Sequence, residues 1–199
     1  MPVLTFPDIS PDKMRWGILA NTQDHTSPLT ASSQTIELPA PRWTCDLSYF
    51  RRPVEQAAPL QAFLSQLKGT AGRFNLWNFQ RPSPRGTAAG TPRVNGASQV
   101  GQSLILDGFT ALTTFKVGDF FAVNSEIKMV SADVAANGSG QMTVTFSPPL
   151  RASPADNALI TLVKPTAIFK LRENSNYWDD MDGVATDFQI SCIETFEVA

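Results

Sequence analysis

The strongest constraint on the fold is a strict alternation of apolar and polar side chains near both ends of the chain. In residues 42–50 the apolar positions are Trp43, Cys45, Leu47 and Tyr49. Residues 184–192 repeat the pattern, and a weaker version runs through 14–20. A two-residue period puts each kind of side chain on its own face, so each segment predicts a β-strand with one buried face. An unpaired final strand would leave an edge open to aggregation, so we expect it to pair with the N-terminal strands.

The middle of the chain differs from both ends in composition. All four tryptophans and both tyrosines lie before residue 80 or after residue 175, whereas eight of the twelve glycines lie between Gly86 and Gly140. Two prolines and a glycine within 81–87 end the strand predicted at 73–79 and mark a boundary. Beyond it, we expect about five short strands and no helix. These strands are expected at 103–106, 115–123, 127–130, 141–146 and 158–163.

The expected fold class is therefore mainly β with one helix. Residues 1–86 and 166–199 are expected to form a discontinuous β-sandwich domain, and residues 87–165 an inserted outer β domain. The insertion suits a small β-barrel or β-sandwich, with an OB-like barrel as one candidate. This layout brings residues 86 and 166 close together in space.

The one helix is predicted from apolar residues at helical spacing. These residues, at i, i+3, i+4 and i+7, are Leu60, Phe63, Leu64 and Leu67. Gly69 is placed to end the helix, with Lys68 in its last turn, and either Pro53 or Pro59 could occupy its first position. By contrast, residues 21–33 are polar and are expected to form a long exposed loop.

Composition excludes several classes of protein. With 42% apolar and only 17% charged residues over 199 positions, the chain can bury a core and is not expected to be disordered. A net charge of -2 argues against general attraction to nucleic acid or to an anionic membrane. No run approaches about 18 consecutive apolar residues, and the first residues lack the basic and apolar regions of an export signal. We therefore expect neither a transmembrane nor an exported protein.

The sequence offers little that suggests catalysis. The single histidine, His25, lies in a polar segment, and no nucleophile sits in an elbow-like turn that it could activate. Cys45 and Cys192 continue apolar alternations, so we expect two buried free thiols rather than a disulfide or a zinc site. The acidic stretch 179–183 lacks the spacing and the final glutamate of a calcium loop. No enzymatic activity, cofactor or metal is expected.

Charge is distributed unevenly along the chain. From Arg42 to Arg93 there are eight basic residues against two acidic ones, and from Glu173 onward there are seven acidic residues and no basic one. The two segments could neutralise each other within one domain. Alternatively, they could meet across a subunit boundary, where such charges favour a head-to-tail contact that closes into a ring. The candidate interface residues are Arg51, Arg52, Arg73, Arg81, Asp179, Asp180 and Asp182.

Three stretches of the sequence follow patterns known from other proteins. They are residues 63–86, which include RFNLWNFQRPSPRG; 91–97 (TPRVNGA) with 106–109 (LDGF); and 117–123 (VGDFFAV) running to 146–151 (FSPPLR). Each is similar to a segment common in tail proteins of long-tailed bacteriophages and prophages. The length and split layout most resemble the distal tail protein family.

This resemblance implies a structural protein of the virion. In the distal tail family, a β-sandwich with a helix forms a ring, usually a hexamer, and carries an outer domain that is sometimes OB-like or carbohydrate-binding. The implied partners are further copies of the chain, a tail tube protein, and a tail-tip hub or fibre protein. The protein would be assembled in the cytoplasm of the bacterial host and reside in the phage tail, with no membrane and no specific nucleic acid sequence as partners.

Two other classes of function remain as alternatives. A host-binding module would use residues 87–165 to grip a surface polysaccharide. This segment offers only phenylalanine for stacking, whereas sugar platforms usually use tryptophan or tyrosine. The third class, a hydrolase that degrades the cell wall, would need paired carboxylates to do the chemistry.

Overall fold

The computed structural model describes residues 2–181 and 185–196, which are mainly β with a single α-helix. The first segment contains β1 (Val3–Thr5), β2 (Lys13–Leu19), β3 (Thr22–Thr26), β4 (Ser33–Glu37), β5 (Arg42–Arg52), α1 (Val54–Leu67), a 3-10 turn (Gly69–Ala71) and β6 (Arg73–Leu76). The middle segment contains β7 (Gly90–Val94), β8 (Ser103–Phe109), β9 (Thr114–Phe115), β10 (Phe120–Val123), β11 (Glu126–Val130), β12 (Val134–Ala135) and β13 (Met142–Ser147). The last segment contains β14 (Ala167–Leu171), β15 (Trp178–Met181) and β16 (Ala185–Glu194). The expected fold class is confirmed.

Strands from both ends of the chain form one seven-stranded sheet. Its order is β1-β6-β14-β16-β5-β2, and β15 pairs with the first half of β16. Only β1 and β6 run parallel among the pairs of this sheet described here. Cys192 of β16 lies opposite Cys45 of β5, so the last strand pairs with the N-terminal part, as its alternation predicts. Val184, where that strand was predicted to begin, lies outside the described residues.

Helix α1 packs on the inner face of this sheet. Its apolar stripe is buried in the same core as the inward side chains of β5, β6, β14 and β16. Pro53 immediately precedes the first helical residue, and Lys68 ends the helix in a left-handed conformation with φ of 51°. Cys45 and Cys192 lie in this core as buried free thiols, which confirms that prediction.

The middle segment closes into a barrel around a second core. Its five-stranded sheet has the order β10-β11-β13-β8-β7. Residues 158–162 bridge the two edges, because Leu159 pairs with Arg93 of β7 and Thr161 pairs with Ala122 of β10. The sheet is therefore curled into a barrel-like shape, with these two isolated bridges joining its edges. The buried aromatic side chains of this core are Phe109, Phe115, Phe121 and Phe146.

Three local predictions were wrong. Residues 21–33 form most of a β-hairpin, β3–β4, rather than a loop. The strand predicted at 115–123 is divided into β9 and β10 by a turn in which the Asp119 N–H donates to the Lys116 carbonyl and Gly118 has a φ of 82°. The strand predicted at 73–79 ends at Leu76.

The barrel packs on the seven-stranded sheet through a buried contact. Phe120 and Ile127 of the barrel belong to the core of the sheet and helix. The indole N–H of Trp43 in β5 donates to the Ile127 carbonyl at 2.9 Å. The two chain connections run side by side, since the Lys164 N–H donates to the Pro82 carbonyl at 2.6 Å. The ends of the middle segment are therefore close together.

Candidate interaction surfaces

The most exposed element is the hairpin β3–β4 with its turn, residues 22–37, which we call the arm. All ten of its strand residues are exposed, and Leu29 in the turn is 94% exposed. Within the described residues, β3 and β4 pair only with each other. The Leu38 N–H donates to the Asn21 carbonyl at the base of the arm, at 2.7 Å. The arm therefore extends from the end of β2 and pairs with no other sheet among the described residues.

The arm has one acidic face. Thr22 lies opposite Glu37, and Asp24 lies opposite Thr35. Side chains of opposite residues, and of residues two apart, share a face of a hairpin. Asp24 and Glu37 therefore lie on the same face, one on each strand. The arm contains no lysine or arginine, and its single histidine, His25, lies on the opposite face.

The outer face of the seven-stranded sheet carries two rows of cations. Lys13 and Arg15 lie on β2, at one edge, and Lys170 lies on β14, with Arg172 just beyond its end. None of these four side chains forms an ion pair with a carboxylate among the described residues. We call the surface formed by Lys13, Arg15, Lys170 and Arg172 the basic face.

Short polar side chains lie between the two rows of cations. Strands β5 and β16 separate β2 from β14. Their outward residues here are Thr44 and Ser48 on β5, and Gln189, Ser191 and the apolar Ile193 on β16. Asp46 is the carboxylate in the middle, where it accepts a hydrogen bond from the Ser191 hydroxyl at 2.7 Å and lies opposite Arg15. Adjacent strands are about 4.8 Å apart, so the rows are separated by about 14 Å.

The arginines proposed as interface residues are mostly engaged within their own chain. Arg52 forms an ion pair with Asp12 at 2.8 Å and donates to the Ser10 carbonyl. One nitrogen of Arg73 donates to three successive carbonyls, those of residues 70–72. Arg81 donates to the Gly118 carbonyl at 2.7 Å. Of the four, only Arg51 is exposed with a guanidinium that forms no hydrogen bond or ion pair with the described residues.

Two of the acidic candidates, Asp179 and Asp180, lie on β15, which pairs with β16 of the seven-stranded sheet. Asp180 accepts hydrogen bonds from Thr186 and Gln61. Asp179 lines an open groove of about 370 Å³. The third acidic candidate, Asp182, lies outside the described residues. The groove is also lined by Phe50, Glu173, Ser175, Asn176, Tyr177, Asp187, Phe188, Gln189 and Ser191.

The contact between barrel and sheet contains a group of four charges that sequence reasoning missed, three of them buried and one, Arg151, exposed. We call it the junction network: Glu126, Lys128 and Arg151 from the barrel segment and Glu194 from β16. Lys128 Nζ lies 2.7 Å from a Glu126 oxygen, and Arg151 lies 3.3 Å from the other oxygen. Glu194 accepts the backbone N–H of Trp43 at 3.0 Å and lies 3.8 Å from Arg151.

Burial shifts the titration of this network. Burial lowers the pKa of Lys128, against the opposing influence of Glu126. Burial also raises the pKa of Glu194, although the Trp43 N–H and Arg151 act in the other direction. One signal in the sequence could have revealed Glu194. It continues the inward positions of Phe188, Ile190 and Cys192, where a charged residue must find partners.

The described part of the chain holds no group of three or more side chains suited to bind a metal ion. Its two thiols are buried, and burial raises the pKa of Cys192 well above its ordinary value, which opposes nucleophilic use of the thiolate. No described helix is long and apolar enough to cross a membrane.

In comparisons with known proteins, no family model and no curated protein matches the sequence. The features that remain for function are the arm, the basic face and the open groove.

Proposed function

We propose that the chain is a non-enzymatic structural subunit of the ring at the distal end of a long-tailed phage tail. There it would join the tail tube to the hub or fibres of the tail tip. The three stretches similar to phage tail proteins, which lie within residues 63–151, support this proposal. By analogy with the distal tail family, the ring contains six copies of the chain.

The arm is the observation that carries the proposal. An isolated two-stranded hairpin is marginally stable in water and gains stability by packing on another surface. The arm has all its strand residues exposed and leaves Leu29 in solvent. A surface that receives the arm differs from the arm itself, so the arm of each copy can dock head-to-tail on the next copy. Head-to-tail contacts close into rings when the rotation between copies allows it.

Binding of a host polysaccharide by residues 87–165 has less support. The five phenylalanines available for stacking there are between 0% and 6% exposed. They are Phe109, Phe115, Phe120, Phe121 and Phe146. Because aromatic rings bind sugars with their exposed faces, the barrel surface lacks an aromatic platform among its described residues.

The proposal is tested by the mass of the purified protein in solution, followed by negative-stain images, alone and with a tail tube protein. We expect rings whose mass is a multiple of 21.7 kDa. A second sample replaces residues 22–37 with a two-residue Asn-Gly turn, which suits the close approach of Asn21 and Leu38. We expect this variant to be a folded monomer.

Two results would contradict the proposal. A wild-type protein that stays monomeric at high concentration and also fails to assemble on tail tubes is not a ring subunit. Turnover of a glycan or peptidoglycan that is lost on mutation of an aspartate or glutamate would instead place the protein among the hydrolases. Substitution of Leu29 by Ser serves as a milder control, since it leaves the strands of the arm in place.

A further inference from the structure

We infer that the acidic face of the arm of one copy docks on the basic face of the next copy. This inference rests on the proposed ring function and names the two surfaces that meet in the ring. The occupant of the basic face is thus a second copy of this chain. Charge, spacing and polar groups each support the assignment.

The charges of the two surfaces are opposite and segregated. Asp24 and Glu37 lie on one face of the arm, on different strands. Asp24 accepts a hydrogen bond from Thr35, and neither carboxylate forms an ion pair within the described chain. The cations of the basic face likewise lack carboxylate partners there. Each surface therefore presents charge that another molecule can neutralise.

The spacing of the basic face suits a two-stranded element. The rows on β2 and β14 are about 14 Å apart across β5 and β16, whereas the two strands of the arm are about 4.8 Å apart. An arm that lies between the rows therefore has one strand facing each row. Asp24 then faces cations on one side, and Glu37 faces cations on the other.

The polar groups of the two surfaces also agree. The residues between the rows include the short side chains of Thr44, Ser48 and Ser191, together with Gln189 and the apolar Ile193. Asp46 lies among them, where the Ser191 hydroxyl and the neighbouring Arg15 face it. The opposing face of the arm carries Thr22, Thr26 and Thr35 beside its carboxylates. Both surfaces therefore offer hydroxyl groups around the charged contacts.

The inference is tested by reversing charge on each surface and then on both. The arm variant is Asp24→Lys with Glu37→Lys, and the face variant is Lys13→Glu with Arg15→Glu. Sedimentation velocity of the intact protein, alone and with tail tube protein, measures ring formation at low and at high salt. We expect each variant to weaken self-association by about tenfold or more at low salt, and the combination to restore most of it.

Two further samples keep the test interpretable. Asp24→Asn with Glu37→Gln removes charge but leaves acceptors for the arm, so a loss of association in it cannot come from a broken Thr35 contact. Glu55→Lys, at an exposed position on α1, reverses a charge outside both surfaces and should leave association unchanged. Circular dichroism of every variant reports whether the monomer remains folded.

The outcomes separate this inference from the proposed function. Rings that form equally well in the arm and face variants overturn the inference but leave the ring function intact. A wild-type protein that forms no ring, with or without tail tube protein, overturns both. If the arm variant and the face variant each lose association and the combined variant does not restore it, the two surfaces do not meet each other. Salt-sensitive retention of wild-type protein on duplex DNA, lost in the face variant, would give the basic face a different occupant.

Discussion

The junction network and the basic face place charged residues in opposite settings. In the junction network, Lys128 is 1% exposed and Glu194 is 3% exposed, and each has an opposite charge within the same chain. On the basic face, Lys13, Arg15 and Arg172 are exposed and Lys170 is half-buried, and the carboxylates of the arm lie elsewhere. Buried charges are tolerated only when they are paired, so the first set fixes the barrel on the sheet. The second set is free to meet another molecule.

Removal of the barrel should have the largest effect, and it tests whether the contact that contains the junction network stabilises the sheet. Residues 87–165 are replaced by a short Gly/Ser linker, which the contact between Lys164 and Pro82 makes feasible. We expect a cooperatively folding β domain whose midpoint of thermal unfolding is lower by about 15 °C or more. The reason is that Trp43 and its neighbours lose their cover from Phe120 and Ile127.

Calorimetry and urea denaturation measure this effect. Loss of cooperative unfolding would show that the middle segment is part of one folding unit with the sheet. An unchanged midpoint would show that the buried contact contributes little. Either result would contradict the picture of two domains that fold separately and are held together by a stabilising buried contact.

Glu194→Ala tests the junction network itself. The substitution leaves the Trp43 N–H without its acceptor and removes a counter-charge from Arg151. We expect the free energy of unfolding to fall by about 1–3 kcal/mol, the cost of leaving a buried donor without its acceptor, since Arg151 keeps Glu126 as a counter-charge. Urea denaturation measures the change. The matched control is Glu173→Ala at an exposed position, which should change stability by no more than about 0.5 kcal/mol.

Strand β16 and the arm differ in how far the sequence predicts them. Strand β16 was predicted because its inward residues are apolar at every second position, and the same reasoning predicted buried thiols. The arm left no such signal, because both of its faces are exposed and neither selects apolar residues. Its polar composition therefore resembled that of a loop. The pattern that reveals a strand is produced by burial, not by strand geometry alone.

Contacts between distant segments were also beyond the sequence. The sequence predicts a strand at residues 158–163, but nothing local indicates that Leu159 and Thr161 join the two edges of the barrel through isolated bridges. Lys128 lies within a predicted strand as well, and its burial depends on the Pro149 carbonyl and on Glu126. The net charges of the basic segment 42–93 and of the acidic segment from Glu173 onward treat each segment as a single unit. The fold instead divides each run among inward, outward and ion-paired positions.

The pH dependence of stability gives a smaller and sharper test of the junction network. Burial raises the pKa of Glu194 above that of an unfolded glutamate. On acidification from pH 7, the folded state therefore takes up this proton before the unfolded state does. This uptake stabilises the folded protein, fully below the unfolded pKa and not at all above the folded pKa. We expect wild type to gain stability relative to Glu194→Gln as the pH falls towards about 4.

Urea denaturation of both proteins at matched pH values measures this difference. The glutamine keeps an acceptor oxygen for the Trp43 N–H, so the comparison isolates the charge. If wild type instead loses stability relative to the variant on acidification, Arg151 and Lys128 stabilise the carboxylate more than burial destabilises it. The junction network would then stabilise the fold through its charges, rather than through packing and hydrogen bonds.

Arg51→Glu should have the smallest effect of these changes, and it tests whether an exposed charge outside the basic face contributes to self-association. Arg51 is the interface candidate whose guanidinium is exposed, whereas Arg52 is bound to Asp12 and Ser10, so reversal of Arg52 would also perturb the monomer. An exposed ion pair contributes about 0.2–1 kcal/mol. We therefore expect self-association, measured by sedimentation, to weaken by no more than about fivefold at low salt and less at high salt.

The neutral variant Arg51→Gln separates repulsion from loss of attraction. If Arg51 lies at the contact between copies, the neutral variant should fall between wild type and Arg51→Glu. Identical association in all three proteins would place Arg51 outside the contact, while Lys13 and Arg15 could still lie within it. A loss larger than tenfold would instead mean that Arg51 is buried at the contact. The contact would then extend beyond the basic face towards the acidic groove that Phe50 and Asp187 line.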